Sequence, residues 1–382
     1  MRALIVGGNI AGLAAACRLT EAGWDVRVLE VRRDAEEGGR AIMLQPNGLR
    51  ALELLGVLEP VRSRGSVLSR VSFYLGEKLL SRLDYSELRH PHRYAVEIRP
   101  QALRRALTER LIELGGQAPE FGCRVVSVEA SEGTIRGLGF EDQAGRTHEA
   151  SGDLVIGADG PASTVRTGLG IHCRYLAAPE PYLLGTVSVE TGVDEVAIYC
   201  GPAYADGVVP LPDGTYFWDR VTAENRDAVT NRDPAGWGAV FSGRVANGQR
   251  LAEAIKSWGQ LTLVEVRPFW ARSRTAAGAI LIGDAAGAVH PHAAQGANLA
   301  LEDAIALGEA VGGARSDYPD RLRGMARRRE RRLRQYVLWS LLAARTYDAP
   351  RPWMRPMRRA SLAWNRVGPV RRRLMARGAG IG

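Results

Sequence analysis

The sequence of 382 residues predicts an α/β fold, α+β overall. Three observations carry that prediction. Residues 2–30 run as strand, glycine-rich turn, helix and strand. Two later apolar runs, 153–157 and 279–282, are each followed by or end in Gly with an Asp close by. Between them residues 172–271 break into short β-rich segments, and beyond 315 the chain reads as helices. A parallel core, an inserted and mostly antiparallel sheet, and a helical C-terminal region follow from this order.

Ala3-Leu4-Ile5-Val6 is short and wholly apolar, as a strand buried on both faces must be. Gly7-Gly8-Asn9-Ile10-Ala11-Gly12 is the turn, Leu13 to Ala22 the helix, and Gly23 its stop. Trp24 to Leu29 is the second strand, closed by Glu30. This is a Rossmann-like unit. Gly7 permits the tight turn and Gly12 lets helix and strand approach. The helix N-terminus, with Ile10 and Ala11 in its first turn, offers free N–H groups to a pyrophosphate. Glu30 lies 18 residues past Gly12, where an acid takes the ribose hydroxyls and repels a 2′-phosphate. That favours an unphosphorylated adenosine, as in FAD or NAD. Asn9 replaces the middle glycine of the motif; Asn visits left-handed conformations readily, so the turn is expected to survive.

Asp153 to Gly160, followed by Ser163-Thr164-Val165-Arg166, forms a second strand and turn. Ala279 to Ala286 forms a third. Asp159 and Asp284, each with small neighbours, can accept hydroxyls from a sugar or ribityl chain. After Asp284 comes His290-Pro291-His292-Ala293-Ala294-Gln295-Gly296-Ala297-Asn298, then a helical run from Leu299 to Val311. A helix N-terminus there suits the negative charge that a reduced flavin carries at its N1–C2=O edge. Val125, in a β-rich run at 124–128, is expected to touch adenine through its backbone.

The segments 182–189, 195–199, 207–211, 215–221 and 260–267 read as strands, with Pro212-Asp213-Gly214 as a hairpin turn. Alternation along 216–220 points Tyr216, Trp218 and Arg220 to one face. With Tyr199 they are the candidate substrate contacts, an aromatic wall suited to a planar apolar molecule. The expected units are a discontinuous nucleotide-binding domain (1–75, 95–171 and 272–320), a substrate-binding sheet domain (76–94 and 172–271) and a C-terminal helical region (321–382).

Charge is unevenly spread. The chain has 51 basic and 42 acidic residues, net +9, yet residues 321–382 hold 18 arginines against Glu330 and Asp348. The basic runs at 327–332 and 371–373 read either as an attachment to an anionic membrane or nucleic acid, or as solvated helix faces with Arg stems over apolar surface. The second reading is favoured, and no nucleic-acid-binding motif is visible. The cysteines Cys17, Cys123, Cys173 and Cys200 are far apart, which argues against a zinc cluster or disulfide framework. No metal is expected. Apolar stretches are too short to span a bilayer and no leader pattern precedes Ala3, so a cytoplasmic setting is the default.

Taken in order, these motifs resemble the flavin-dependent aromatic hydroxylases of the p-hydroxybenzoate hydroxylase type. The likeness rests on Gly7 to Gly12 with Glu30, Gly39-Arg40 through Leu52, Ile98-Arg99 with Leu103, Asp159-Gly160, and Gly283-Asp284 through Asn298 to Glu302-Asp303. It implies that Arg40 and Arg99 lie along FAD, that Asp284 takes the ribityl hydroxyls, and that Gly296, Ala297 and Asn298 hold the pyrimidine edge. Pro291 would sit over the flavin where oxygen adds, and His290 is the candidate base for a phenol. Gly287 stands where many relatives have His. The implied activity is a single-component monooxygenase. NADH or NADPH reduces FAD, O2 gives a flavin C4a-hydroperoxide, and one oxygen passes to an aromatic or phenolic substrate. The rivals are a flavin oxidase or dehydrogenase, a halogenase or reductase-branch flavoprotein, and a non-catalytic flavin-binding or membrane-associated protein. Hydroxylation, epoxidation and Baeyer–Villiger insertion all fit this scaffold, and the oligomeric state is not readable.

Overall fold

The computed structural model describes residues 1–34, 41–177, 180–312, 317–349, 351–365 and 367–382. Its centre is a six-stranded sheet in the order Thr275–Ala276, Ala279–Leu281, Leu154–Gly157, Arg2–Val6, Asp25–Glu30, Glu120–Phe121. All neighbours are parallel except the terminal hairpin at 275–281. Alternation on the central strand divides the core. Ala3 and Ile5 face the helices Ile10–Glu21, Pro100–Glu113 and Gly296–Val311. Leu4 and Val6 face a three-stranded meander, Arg124–Ser131, Thr134–Glu141 and Thr147–Ser151, through Val125, Leu138 and Phe140. Glycine at 7 is obligatory: its φ is +102°, and a Cβ would lie 2.4 Å from the Ala158 carbonyl oxygen. Asn9, by contrast, has extended backbone (φ −92°), so the turn places no left-handed demand on it.

A second sheet has seven strands in the order Leu261–Val264, Tyr182–Val187, Gly214–Arg220, Tyr204–Leu211, Val196–Gly201, Arg70–Leu75, Lys78–Asp84. Only Val196–Gly201 and Arg70–Leu75 pair parallel. The hairpin at 70–84 thus joins this sheet six residues earlier than the expected boundary at 76, because Val71 and Phe73 take register with Val196 and Ile198. Phe217, Leu183 and Val208 form one face, covered by Trp237 and Phe241 of the helix Pro234–Phe241. The other face turns toward the first unit.

A small sheet of Ile42–Leu44, Ala95–Ile98 and Ser66–Leu68 stands between the two. The long helix Tyr318–Asp348 packs along Gly296–Val311. Here the basic run is partly built in. Arg329, 8% exposed, donates to Asp303 Oδ1 (2.5 Å), Glu302 Oε2 (2.6 Å) and the Leu299 carbonyl (3.0 Å). Arg327, Arg328 and Arg331 remain exposed. No helix among the described residues is long and apolar enough to cross a membrane.

Candidate active site

The first glycine turn makes a cradle. A Cβ on Gly12 would meet the Gly7 oxygen at 1.8 Å, so helix and strand touch as the motif requires. The helix Ile10–Glu21 has no side-chain cap, which leaves its first N–H groups for a ligand. Glu30, 4% exposed, accepts from the Gly8 N–H at 2.5 Å and the Arg32 N–H at 2.9 Å. Burial alone would raise its pKa, but Arg32 and those N–H groups outweigh it and hold the carboxyl below the usual range. Val125 is buried two residues past Cys123, whose N–H donates to the Glu30 carbonyl at 2.9 Å.

Asp159 caps the short helix Thr164–Gly168, accepting from Thr164 N (2.7 Å) and Val165 N (3.2 Å) through Oδ2. Its Oδ1 is buried without a partner, which fits a ligand hydroxyl. Asp284 is exposed in the turn Gly283–Ala285. That turn is tethered from below: Gly283 N donates to Asp303 Oδ2 at 3.0 Å, and Arg274 donates to the same oxygen at 2.8 Å. The helix Gly296–Val311 also begins without a side-chain cap, and a Cβ on Gly296 would meet nothing within 4 Å. The two uncapped helix ends, the orphaned Asp159 oxygen and the opening above Gly296 fit FAD.

Asn298 is fully buried and its side chain is already used. It donates to the Met43 (3.0 Å) and Ala294 (2.7 Å) carbonyls and accepts from Gln45 N (2.9 Å). It fastens the strand at 42–44 to the helix, leaving backbone for a flavin edge. Gln295 and Asn47 are linked at 3.0 Å. They are held in turn by the chain end: Gln295 Nε2 donates to the Gly378 carbonyl (2.8 Å) and Asn47 N to that of Ala379 (3.1 Å).

Pro291 opens a short turn between two histidines. His290 is fully buried; its N–H donates to Ser340 Oγ (3.0 Å) and its Nδ1 accepts from His292 N (3.3 Å). Nδ1 is thus an acceptor, which assigns the ring proton to Nε2. Burial, with His292 beside it, pushes its pKa down to about 3. A base for a phenol needs a pKa near working pH. His290 does not have one, and the role expected for it is corrected to a structural one.

Beside it lies a buried cluster on Asp348. Tyr182 donates to Asp348 Oδ2 at 2.5 Å, Arg220 pairs with the same oxygen at 3.0 Å, and His292 Nε2 sits 3.2 Å from Oδ1. Burial would raise the Asp348 pKa, but these partners hold it below its ordinary value. Arg220, expected as a substrate contact, is therefore committed to Asp348. Tyr199 is corrected too. Its register partner is Asp206, so it points to the outer face and stacks on Tyr74, 5.4 Å between ring centroids. Tyr216 and Trp218 stand on the inner face against Leu68, Val196 and Val209. Arg99 pairs with Asp213 of the hairpin at 2.9 Å, an ion pair across the two units with both side chains partly exposed. Arg40 lies outside the described residues. Tyr182 and Asp348 carried no sequence signal, since they lie 166 residues apart, and Asn47, inside the Gly39–Leu52 motif, gave no sign of its partner Gln295, 248 residues away.

A family model described as FAD binding domain matches residues 1–335. The chain belongs to the FAD-dependent, aromatic-hydroxylase-like flavoprotein monooxygenases. A 3-hydroxybenzoate 6-hydroxylase of Polaromonas naphthalenivorans is 29% identical over 91% of this chain and 88% of its own. A 6-methylpretetramide 4-monooxygenase of Streptomyces rimosus is 30% identical over 79% of this chain and 73% of its own. The solved structure of P. aeruginosa PqsL in complex with 2-aminobenzoylacetate superposes with a TM-score of 0.80 at 25% identity, covering 91% of this chain and 96% of that one. Klebsiella pneumoniae HpxO, solved with FAD and uric acid, shares the fold at 0.82 and 24% identity, covering 98% and 97%. This monooxygenase is an FAD enzyme, an oxidoreductase of the single-component type.

Proposed function

We propose that this monooxygenase hydroxylates an aromatic or phenolic compound. NAD(P)H supplies two electrons, O2 supplies one oxygen atom to the ring and one to water, and the ring hydrogen is replaced by hydroxyl. Bound FAD would supply the electron transfer and oxygen activation. The protein binds and orients. Gly7, Ile10, Ala11 and Gly12 hold the pyrophosphate and Glu30 the ribose. Val125 flanks adenine through its backbone. Asp159 and Asp284 take hydroxyls of the linking chain. The first turn at Gly296, Ala297 and Asn298 faces the pyrimidine edge through backbone N–H groups, and Pro291 walls the reacting side. Arg40 is assigned to the cofactor by the family motif alone.

One observation carries this reading: the uncapped N-terminus at Gly296 opens beside Pro291, with the apolar seam of Tyr216 and Trp218 as the substrate wall. Excluding water from that seam keeps activated oxygen for the substrate. We assign the enzyme to the cytoplasm, a reading supported by four cysteines that form no disulfide.

The test is rapid mixing of fully reduced, FAD-loaded enzyme with oxygenated buffer. A transient near-ultraviolet band before the oxidised spectrum returns, and hydroxylated product with 18O from O2, are expected. Single-step reoxidation that persists with every bound substrate analogue favours the oxidase reading instead.

A further inference from the structure

Seven aspartates and glutamates are buried among the described residues, and six have partners. Glu30 holds Arg32, Glu195 holds Tyr74, Asp206 and Asp219 hold Arg244, Asp303 holds Arg274 and Arg329, and Asp348 holds Tyr182. The seventh is Glu97. It is 1% exposed, and its Oε2 is buried with no hydrogen-bond partner. Among the described residues burial is the one influence on it, and it pushes the pKa up to about 8.

Its place is defined by the strand Ala95–Ile98. Val96 and Ile98 enter the core under the first sheet, so Ala95 and Glu97 point the other way. On that side Ala95 packs with Tyr85, Leu88 and Met375. Met43, the register partner of Glu97, packs on that cluster and also on Leu68, Val196 and Val209, where Tyr216 and Trp218 pack from the second sheet. Glu97 therefore lies at the seam between the flavin-binding unit and the substrate sheet. The hydroxyl-bearing members of these two clusters are Tyr85 and Tyr216. Tyr85 is already donating to Gln45 Oε1 at 2.7 Å. Burying an unpaired carboxyl is costly, and no side chain among the described residues offsets it here. A buried acid with an unpartnered oxygen, held at the seam of two units, is suited to recognise a ligand donor.

We propose that Glu97 selects a substrate whose aromatic ring carries a basic nitrogen, an amine or N-heterocycle, and turns away ring carboxylates. A protonated nitrogen gains a charge-assisted hydrogen bond from the carboxylate and a cation–π contact from the aromatic wall. Once Glu97 is ionised, above a pH of about 8, a ring carboxylate meets like charge there. The inference rests on the hydroxylase reading only in taking this seam as the substrate site.

The test uses oxidised, FAD-loaded enzyme at pH 8.5, where the Glu97 carboxyl is ionised, titrated with 3-hydroxybenzylamine and with 3-hydroxybenzoate and followed by flavin absorbance and calorimetry. The two probes share a ring and differ in charge. The amine is expected to bind at least about ten-fold more tightly. Glu97→Gln keeps shape but cannot ionise, and should cut that ratio to about three-fold or less; Glu97→Asp should retain part of it. A ratio unchanged in Glu97→Gln, a wild-type preference for the benzoate, or no amine binding at millimolar concentration overturns the proposal. The titration needs neither NAD(P)H nor O2. Enzyme that binds amines through Glu97 but transfers no oxygen would sink the hydroxylase reading and leave this one standing.

Discussion

At the scale of residues, burial decides roles that residue type cannot. His290 and Glu97 are both titratable, and both lack a partner at one atom, His290 at Nε2 and Glu97 at Oε2. Burial drives the histidine to neutrality far below pH 7 and the glutamate to neutrality near it. For Glu97 the folded pKa, about 8, lies above the unfolded value, so native protein binds a proton that unfolded chain does not. Its contribution is fully present below the unfolded pKa and is lost as pH rises toward 8. Glu97→Gln removes that slope. Urea unfolding at several pH values between 5 and 8 should show the variant gaining on wild type by about 1.4 kcal/mol per pH unit. Asp348 runs the opposite way. Its folded pKa is depressed, so its stabilisation is present above the unfolded pKa and fades as pH falls through the folded one. Asp348→Asn strands buried Arg220 and should cost about 3–5 kcal/mol at pH 7, read by the same titration. Sequence showed which residues could do chemistry. It could not show that Arg220 was paired or that Glu97 was not, because both facts depend on segments over a hundred residues apart or on the absence of any neighbour.

At the scale of elements, the legible parts were those governed by local rules. The strand–turn–helix at 2–21 follows from an apolar run and two obligatory glycines. The inner face of Gly214–Arg220 follows from period-two alternation, and Tyr216 and Trp218 fall where it puts them. Tyr199 failed because alternation gives the faces of one strand, not their match to the next; register with Asp206 set that match. The strand Arg70–Leu75 was misassigned for a similar reason, since Val71 takes its partner 125 positions downstream at Val196. The terminal helix Gly368–Gly378 was legible as a helix but not as a clamp. It and the residues after it give four successive carbonyls, Arg377 to Gly380, to Tyr336, Gln295, Asn47 and Arg332. Gly380 has φ +76°, and a Cβ would fall 2.0 Å from Asn47 Cγ. Gly380→Val must push Asn47 and Gln295 out of place. Faster FAD release, seen as recovery of flavin fluorescence on dilution, is expected, with little change in helix content.

At the scale of the whole molecule, the proposed cofactor site draws on distant stretches: 7–12, 30–32, 159, 283–284 and 291–298. A ligand that touches so many parts binds only the folded state. Stripping FAD should lower the melting temperature by several degrees, and adding FAD at a hundred-fold excess over its Kd should restore about 2.7 kcal/mol. Calorimetry of stripped and reloaded protein checks both. The order of motifs along the chain was enough to name this architecture. How the two sheets seat against each other was not, since that depends on pairs such as Arg99 with Asp213 and Met43 with the Val196 cluster.

The strand order of the first sheet has a consequence for synthesis. Arg2–Val6 is translated first, yet it lies between Asp25–Glu30 and Leu154–Gly157, and the latter needs Ala279–Leu281 on its far side. At about 5–20 residues per second, the N-terminal strand emerges tens of seconds before its sheet can close. During that interval an apolar edge stands open on the ribosome. A nascent chain arrested before residue 279 would carry the glycine cradle, Glu30 and Asp159 but neither the turn at 283–284 nor the flavin half of the proposed site. The dinucleotide can be captured only late, after the chain has waited as a client of whatever shields exposed strands.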